Sequence, residues 1–243
     1  PATPDSSLDV GVYALLGPHR PASHNEADVS DKPTWIRQLA LWTSTKMRQV
    51  DRLYRKRAET LRSVDRLVEQ VVLALQRRGT LDDTVLVFTS DHGFLLGEHR
   101  HKAKWCPHEE CVNVPLLVRA PAVAPRRDMS LVSNVDIAPT LADFAGALPR
   151  RKMDGLSLRP LLYGAIPLAR DAVLLELLGY PFLNRRFSAV RTDRWMYAEY
   201  QNGERELYDM LGDPGQLRSR ASESVFADTV AILSARLRIL KAQ

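Results

Sequence analysis

Asp91, His92 and Gly93 stand together directly after the apolar run Val85-Leu86-Val87-Phe88 and its polar end Thr89-Ser90. The run predicts a buried strand over residues 84–89. In open α/β sheets, ligands sit beyond the carboxyl ends of the strands. A glycine at such a place lets the backbone turn sharply. A carboxylate beside an imidazole there is a ligand pair for a metal ion, and the chemistry it suits is metal-assisted hydrolysis. Taken singly, Asp91 also reads as a turn carboxylate and His92 as a loop histidine. Downstream, His99, His101, Cys106, His108 and Cys111 lie close in sequence. Zinc prefers such nitrogen and sulfur ligands, so these five are an alternative metal set, although their spacing fits no standard finger. Cys106 and Cys111 could also bridge, with free thiols as the simpler reading.

The elements that must position these residues are legible in outline. Residues 1–30 are rich in Pro, Ser and Asp without a period and read as loop. A helix start is expected at Asp31-Lys32-Pro33, followed by helix from Trp35 to about Arg78, broken near Thr43-Ser44-Thr45. Leu61, Val64, Val68, Val71 and Leu75 recur at three and four residues and form an apolar stripe. Gly79 is the C-cap candidate. After the strand at 84–89 comes a second, 114–119; both read as interior strands with neighbours on each side. Asp136 is the expected N-cap of a helix to Phe144. Val173–Leu177, Phe187–Arg191 and Trp195–Tyr200 read as short strands, the last two as an antiparallel hairpin through Thr192-Asp193-Arg194. A closing helix over residues 222–241 is expected to bury Val225, Thr229, Ile232, Leu233, Leu237 and Leu240.

Composition bounds the class. The chain has 243 residues, 45% hydrophobic and 26% charged, as in ordinary globular domains. No apolar run approaches the ~18 residues of a membrane span. The net charge is +5. An arginine-rich solvated surface explains it, much of it along Arg48 to Arg78, and attraction of anionic sugars is the sharper alternative. No basic patch interleaved with aromatics argues for nucleic acid. No signal peptide is read, which leaves the compartment open between cytoplasm and export for a soluble chain.

Several blocks, in order and spacing, resemble the sulfatase family of the alkaline-phosphatase-like superfamily. They are Phe88-Thr89-Ser90-Asp91-His92-Gly93, Leu96-Gly97-Glu98-His99, Lys104, Glu109-Glu110 and Val114-Pro115-Leu116-Leu117-Val118-Arg119. Asn25 to Pro33 looks like a segment of the branch related to N-acetylglucosamine-6-sulfatases. Asp136-Ile137-Ala138-Pro139-Thr140-Leu141 is similar to a family helix start, and Glu206-Leu207-Tyr208-Asp209 with Asp213-Pro214 to its C-terminal E-L-Y-D-x-x-x-D-P. The resemblance covers roughly residues 20–220. It implies an α/β fold: the C-terminal portion of an alkaline-phosphatase-like sandwich over residues 1–165, then a small antiparallel sheet with a C-terminal helix over 166–243.

The resemblance also implies roles. Asp91 and His92 are the downstream half of a divalent-cation site, calcium first, with manganese or magnesium as alternatives. Lys104 contacts the sulfate, and His99 lines the pocket. The substrate is a sulfated glycan or small molecule. Departures from the family pattern bear on this: many members carry Asn in place of His92, His108 replaces a tyrosine, and Asn113 stands where arginine is common. His19, in Pro18-His19-Arg20-Pro21, has the form of the family's P-H-x-P, but the block at Asn25 follows too closely for that role. The family's nucleophile is a formylglycine made from the cysteine of a C-x-P-S-R motif, and neither Cys106 nor Cys111 has that context. The chain opens at Pro1-Ala2-Thr3-Pro4 without Met. The expectation is therefore the C-terminal part of a longer sulfatase, with formylglycine upstream, inactive alone and prone to form a homo-oligomer. The alternatives are a phosphodiesterase or phosphonate monoester hydrolase of the same superfamily, and a non-catalytic binding remnant.

Overall fold

The computed structural model describes residues 3–4, 8–164, 168–179 and 185–242. The expected domain boundary at 165/166 lies outside the described residues, as do Pro1 and Ala2. After a turn-rich start, a short helix α1 (Thr34–Arg37) leads to the long helix α2 (Ser44–Arg77). The hydroxyl of Thr43 accepts from Lys46 N and caps α2. At its far end Gly79 is left-handed, with φ +67°; its N–H bonds to Gln76 O and that of Thr80 to Leu75 O, closing a Schellman motif. The apolar stripe of α2 is not covered by the described residues: Leu61, Val68 and Val71 are exposed, and only Val50 and Glu59 on the helix are buried. Periodicity fixes which residues share a face, not what lies against it.

Strand β1 (Leu86–Thr89) and strand β4 (Leu116–Arg119) flank the site segment. They pair antiparallel, Leu86 opposite Arg119 and Thr89 opposite Leu116, as a two-stranded sheet. Both read as interior strands whose further neighbours would come from upstream. Neither has a second neighbour among the described residues, and Phe88 and Leu117 are 40% and 59% exposed. Between them lie a small hairpin, β2 (Leu95–Leu96) with β3 (Lys102–Ala103), and the one-turn helix α3 (Glu109–Val112). Helix α4 (Ile137–Phe144) follows a 3-10 turn. Asp136 stands at its N-cap position, as expected, but its side chain makes no capping bond to the helix. Ser133 caps the turn, and the Asp136 carboxylate accepts from the N–H groups of Ser133 and Leu156 and from Arg170. One buried carboxylate thus ties three stretches of chain. A one-turn helix α5 (Arg159–Leu162) comes next.

The second sheet is an antiparallel meander of β5 (Ala172–Leu177), β6 (Phe187–Thr192), β7 (Trp195–Tyr200) and β8 (Arg205–Asp209). The first three match the expected strands; β8 was legible only as a motif. Side chains alternate between two faces. Val190, Tyr197 and Leu207 meet helix α6 (Ala227–Lys241) through Val230, Leu233 and Leu237. Each such aliphatic side chain contributes about 2 kcal/mol on burial. Val225 and Ile232, expected on this face, are exposed. The buried line runs 230, 233, 237, a choice set by how the helix lies on the sheet. The opposite face, with Ala189, Met196, Ala198 and Tyr208, turns towards Trp35 and the site hairpin.

What joins that face to the N-terminal segment is Lys32, whose side chain is wholly inaccessible. Its ammonium donates to Gln216 O (2.9 Å), Leu217 O (2.7 Å) and Asp31 (3.1 Å), lies 3.5 Å from Glu26, and sits over the Tyr208 ring. All three donors are used. Lys32→Met keeps the stem but strands a buried carboxylate and two carbonyls. It is expected to cost about 3–5 kcal/mol, read as a lowered urea-unfolding midpoint; an unchanged midpoint would show the pair to be dispensable.

Candidate active site

Beyond β1 the chain makes a tight turn through Ser90-Asp91-His92-Gly93. The Ser90 hydroxyl donates to His92 O (2.9 Å), and Gly93 N–H donates to Cys111 O (2.8 Å). A Cβ on Gly93 would lie 2.0 Å from Glu110 O, so this approach of two backbones demands glycine. The turn presents Asp91 to solvent, 83% exposed, with His92 partly covered. His92 Nε2 lies 3.3 Å from the Asp91 carboxylate and in contact with Lys104 Nζ. The structure therefore gathers three of the four expected site residues, Asp91, His92 and Lys104, at one point.

The imidazole's hydrogen placement follows from its partners. Nδ1 is 2.8 Å from Gly93 O, which can only accept, so Nδ1 carries the hydrogen. Nε2 then turns its lone pair to the Lys104 ammonium, which can only donate. A histidine whose Nδ1–H is held by a backbone carbonyl, so that the Nε2 lone pair faces outward, is the usual second-shell arrangement of a metal ligand. A carboxylate stands beside it, and a cationic group already occupies the position both face. These donors fit a divalent cation as part of a coordination set. Among the described residues no group of three or more His, Cys, Asp or Glu could hold a metal by itself. The alternative zinc set does not assemble: Cys106 and Cys111 form a buried disulfide, which also overturns the free-thiol reading.

His99, the fourth expected residue, belongs to a different and buried set. Its Nδ1 meets Glu26 at 3.0 Å, and its ring stacks on His108 with centroids 4.3 Å apart. Burial, then the neighbouring His108, hold its pKa below the ordinary imidazole value. Glu110 accepts from the Ser23 hydroxyl, and burial pushes its carboxyl up. His108 Nε2 lies 3.2 Å from Glu206, whose carboxylate also accepts from the hydroxyls of Tyr200 and Tyr208. Burial alone would raise Glu206; His108 and the two phenols outweigh it and hold it down at about 2. Sequence reasoning missed the roles of Lys32, Glu26, Tyr200 and Glu206. The resemblance blocks at residues 25–33 and 206–209 were the one signal for them. His19 is exposed and stacks on Tyr54, apart from this set.

His101 lies between the hairpin and the second sheet. It is edge-on to Trp35 and 3.4 Å from the Arg185 guanidinium. Burial, then Arg185, lower its pKa to about 4.

Comparisons with known proteins agree in direction. Residues 10–147 match the family described as Sulfatase, and residues 97–243 match N-sulphoglucosamine sulphohydrolase, C-terminal. The chain is 34% identical over 235 residues to N-acetylglucosamine-6-sulfatase of Bos taurus, covering 82% of this chain and 42% of that protein. It is 33% identical to an arylsulfatase of Volvox carteri, over 89% of this chain and 38% of that one. Among solved structures, one in complex with its substrate D-glucosamine-2-N,6-O-disulfate superposes with a TM-score of 0.74 at 30% identity, covering 80% of this chain and 41% of that one. A phosphonate monoester hydrolase of Agrobacterium radiobacter reaches 0.75 at 28% identity, covering 83% and 43%. The chain thus spans about two fifths of the length of these relatives.

The His101 shift has a consequence for stability. Its pKa falls from 6.5 unfolded to about 4 folded, so the unfolded chain takes up its proton first on acidification. The contribution is complete above pH 6.5 and is lost as pH falls towards 4. His101→Gln is expected to remove about one proton's worth of slope from unfolding free energy across that range, measured by urea unfolding at stepped pH; identical slopes would refute it.

Proposed function

Because the chain belongs to the sulfatase family, we propose that it provides the cation-binding and sulfate-contacting side of a sulfuric ester hydrolase acting on sulfated sugars or aryl sulfates. The observation that carries this is the meeting of Asp91, the Nε2 lone pair of His92 and the Lys104 ammonium at one point.

Sulfate-ester hydrolysis brings a nucleophile to an anionic tetrahedral sulfur while negative charge builds on its oxygens and on the leaving alcohol oxygen. Asp91 and His92 would hold a divalent cation. Calcium is the first expectation, and manganese or magnesium are the alternatives, manganese suiting the imidazole nitrogen better. Such a cation supplies charge neutralisation at the sulfate oxygens. Lys104 donates a hydrogen bond to one of those oxygens as its charge grows, a contact that strengthens in the transition state. On cation binding the ammonium, which here meets His92 Nε2, would yield that nitrogen to the cation. The glycine-tight turn keeps Asp91 and His92 from relaxing away from it. His99 braces the loop from beneath. The nucleophile, a formylglycine in this reading, comes from outside these 243 residues. The Cys106–Cys111 disulfide supports this, because a cysteine bonded to another is not available for conversion. The exposed apolar side chains of Leu61, Phe88 and Leu117 support self-association of the chain when alone.

One second reading has an observation behind it. The likeness to the phosphonate monoester hydrolase is as close in fold as that to the substrate-bound structure, and the same cations suit a phosphonate oxyanion. An assay with an aryl sulfate and an aryl phosphonate monoester, each with calcium or manganese, separates the two. The chain alone is expected to turn over neither. In the protein carrying the nucleophile segment, turnover should favour the sulfate. Asp91→Ala should abolish it, and Lys104→Met should lower kcat/KM by about 10²–10³. Full activity in Asp91→Ala would sink the assignment.

A further inference from the structure

We propose that Arg185, backed by Trp35 and His101, binds a second oxyanion, a sulfate or carboxylate, on the same saccharide whose scissile sulfate faces Lys104. The inference rests on the function proposed above and names its substrate class more narrowly: a polyanionic sugar.

Arg185 stands two residues before β6. Its guanidinium lies 4.4 Å above the Trp35 ring, and one N–H points at His101 Nε2, 3.4 Å away. It is partly buried, yet among the described residues no carboxylate comes within ion-pair distance of it. That sets it apart from Arg37 and Arg191, each of which holds a glutamate. Covering a guanidinium without a counter-charge costs solvation and returns little. Burial pulls its pKa down accordingly. The stacking and the His101 contact occupy one face and one donor, leaving the rest of the planar fork oriented and unused. A fork of that shape matches the paired oxygens of a carboxylate or sulfate.

Its location connects it to the site. His101 precedes Lys104 by three residues on the same loop, and its ring contacts Arg185. Because the folded imidazole stays neutral down to about pH 4, it accepts from the guanidinium and does not repel it. Lys46 and Lys102 add positive charge to the same neighbourhood, each felt by the next group in line. One sulfate is served by Lys104 and its cation; a second positive station one imidazole away calls for a second anionic group.

The test is calorimetric titration of the chain with D-glucosamine 6-sulfate, D-glucosamine 2-N,6-O-disulfate, and a 6-sulfated disaccharide bearing a uronate. At least one doubly charged ligand should bind ~10–100-fold more tightly than the monosulfate, and which one does so tells sulfate from carboxylate. Arg185→Gln should bring that ratio close to one, and Arg185→Lys, which keeps charge but not the fork, should leave an intermediate value. A ratio unchanged in Arg185→Gln, a ratio of one in the unaltered chain, or no binding of any ligand would overturn the proposal. If Arg185→Gln does not fold, the lysine variant decides by the same ratio. Lys104→Met separates the two claims. If it weakens every ligand, the sulfate-ester reading stands; if it changes none while Arg185→Gln collapses the ratio, the Arg185 site stands and that reading fails.

Discussion

Buried charge must be matched by buried charge, and the structure is organised around one place where this happens. Lys32, Glu26 and His99 form one arm of a covered polar chain; His108, Glu206, Tyr200 and Tyr208 form the other; the stacked rings of His99 and His108 join them. The arms come from the N-terminal segment, the site loop and the second sheet. None of the three can shift without leaving a charge in a low-dielectric interior, where an unpaired ion costs several kcal/mol. This network supplies orientation more than net stability. Replacing one partner is costly, although a well-packed apolar substitute for the whole set could be as stable.

Above this base the reactive groups are treated in the opposite way. Glu206 and Lys32 are wholly buried, whereas Asp91 is largely in water. Groups proposed to bind an outside ion or ester must remain reachable, so their placement is borrowed from neighbours that are not. Gly93 fits the turn against the backbone of Glu110, and the disulfide closes the loop of five residues' separation that carries His108 into Glu206. Lys104 directly precedes that loop region, so its position depends on both. The same logic extends to Arg185, whose plane is set by an aromatic face and a neutral imidazole.

Elsewhere the chain leaves apolar surface open. The faces of β1, β4 and α2 carry exposed Phe88, Leu117, Leu61 and Val68. A two-stranded sheet whose outer edges are unpaired among the described residues is weak by itself.

The sequence by itself determined the local grammar. The run before Asp91, the glycine stop of α2, the alternation in β6 and β7 and the order of the family blocks are all set within a few residues of one another, and each appears where it was read. Asp91, His92 and Lys104 were legible for the same reason, being thirteen residues apart on one loop. The tertiary structure alone decided which faces found partners and which charges met. The contact of His108 with Glu206 spans 98 positions and the bond from Lys32 to Gln216 spans 184. No periodicity carries information over that distance. The exposed sides of β1 and α2, the face that α6 turns to the sheet, the pairing of Cys106 with Cys111 and the open guanidinium of Arg185 belong to this second kind. Each depends on which surfaces come together in space, a property of the packed chain and not of any stretch of it.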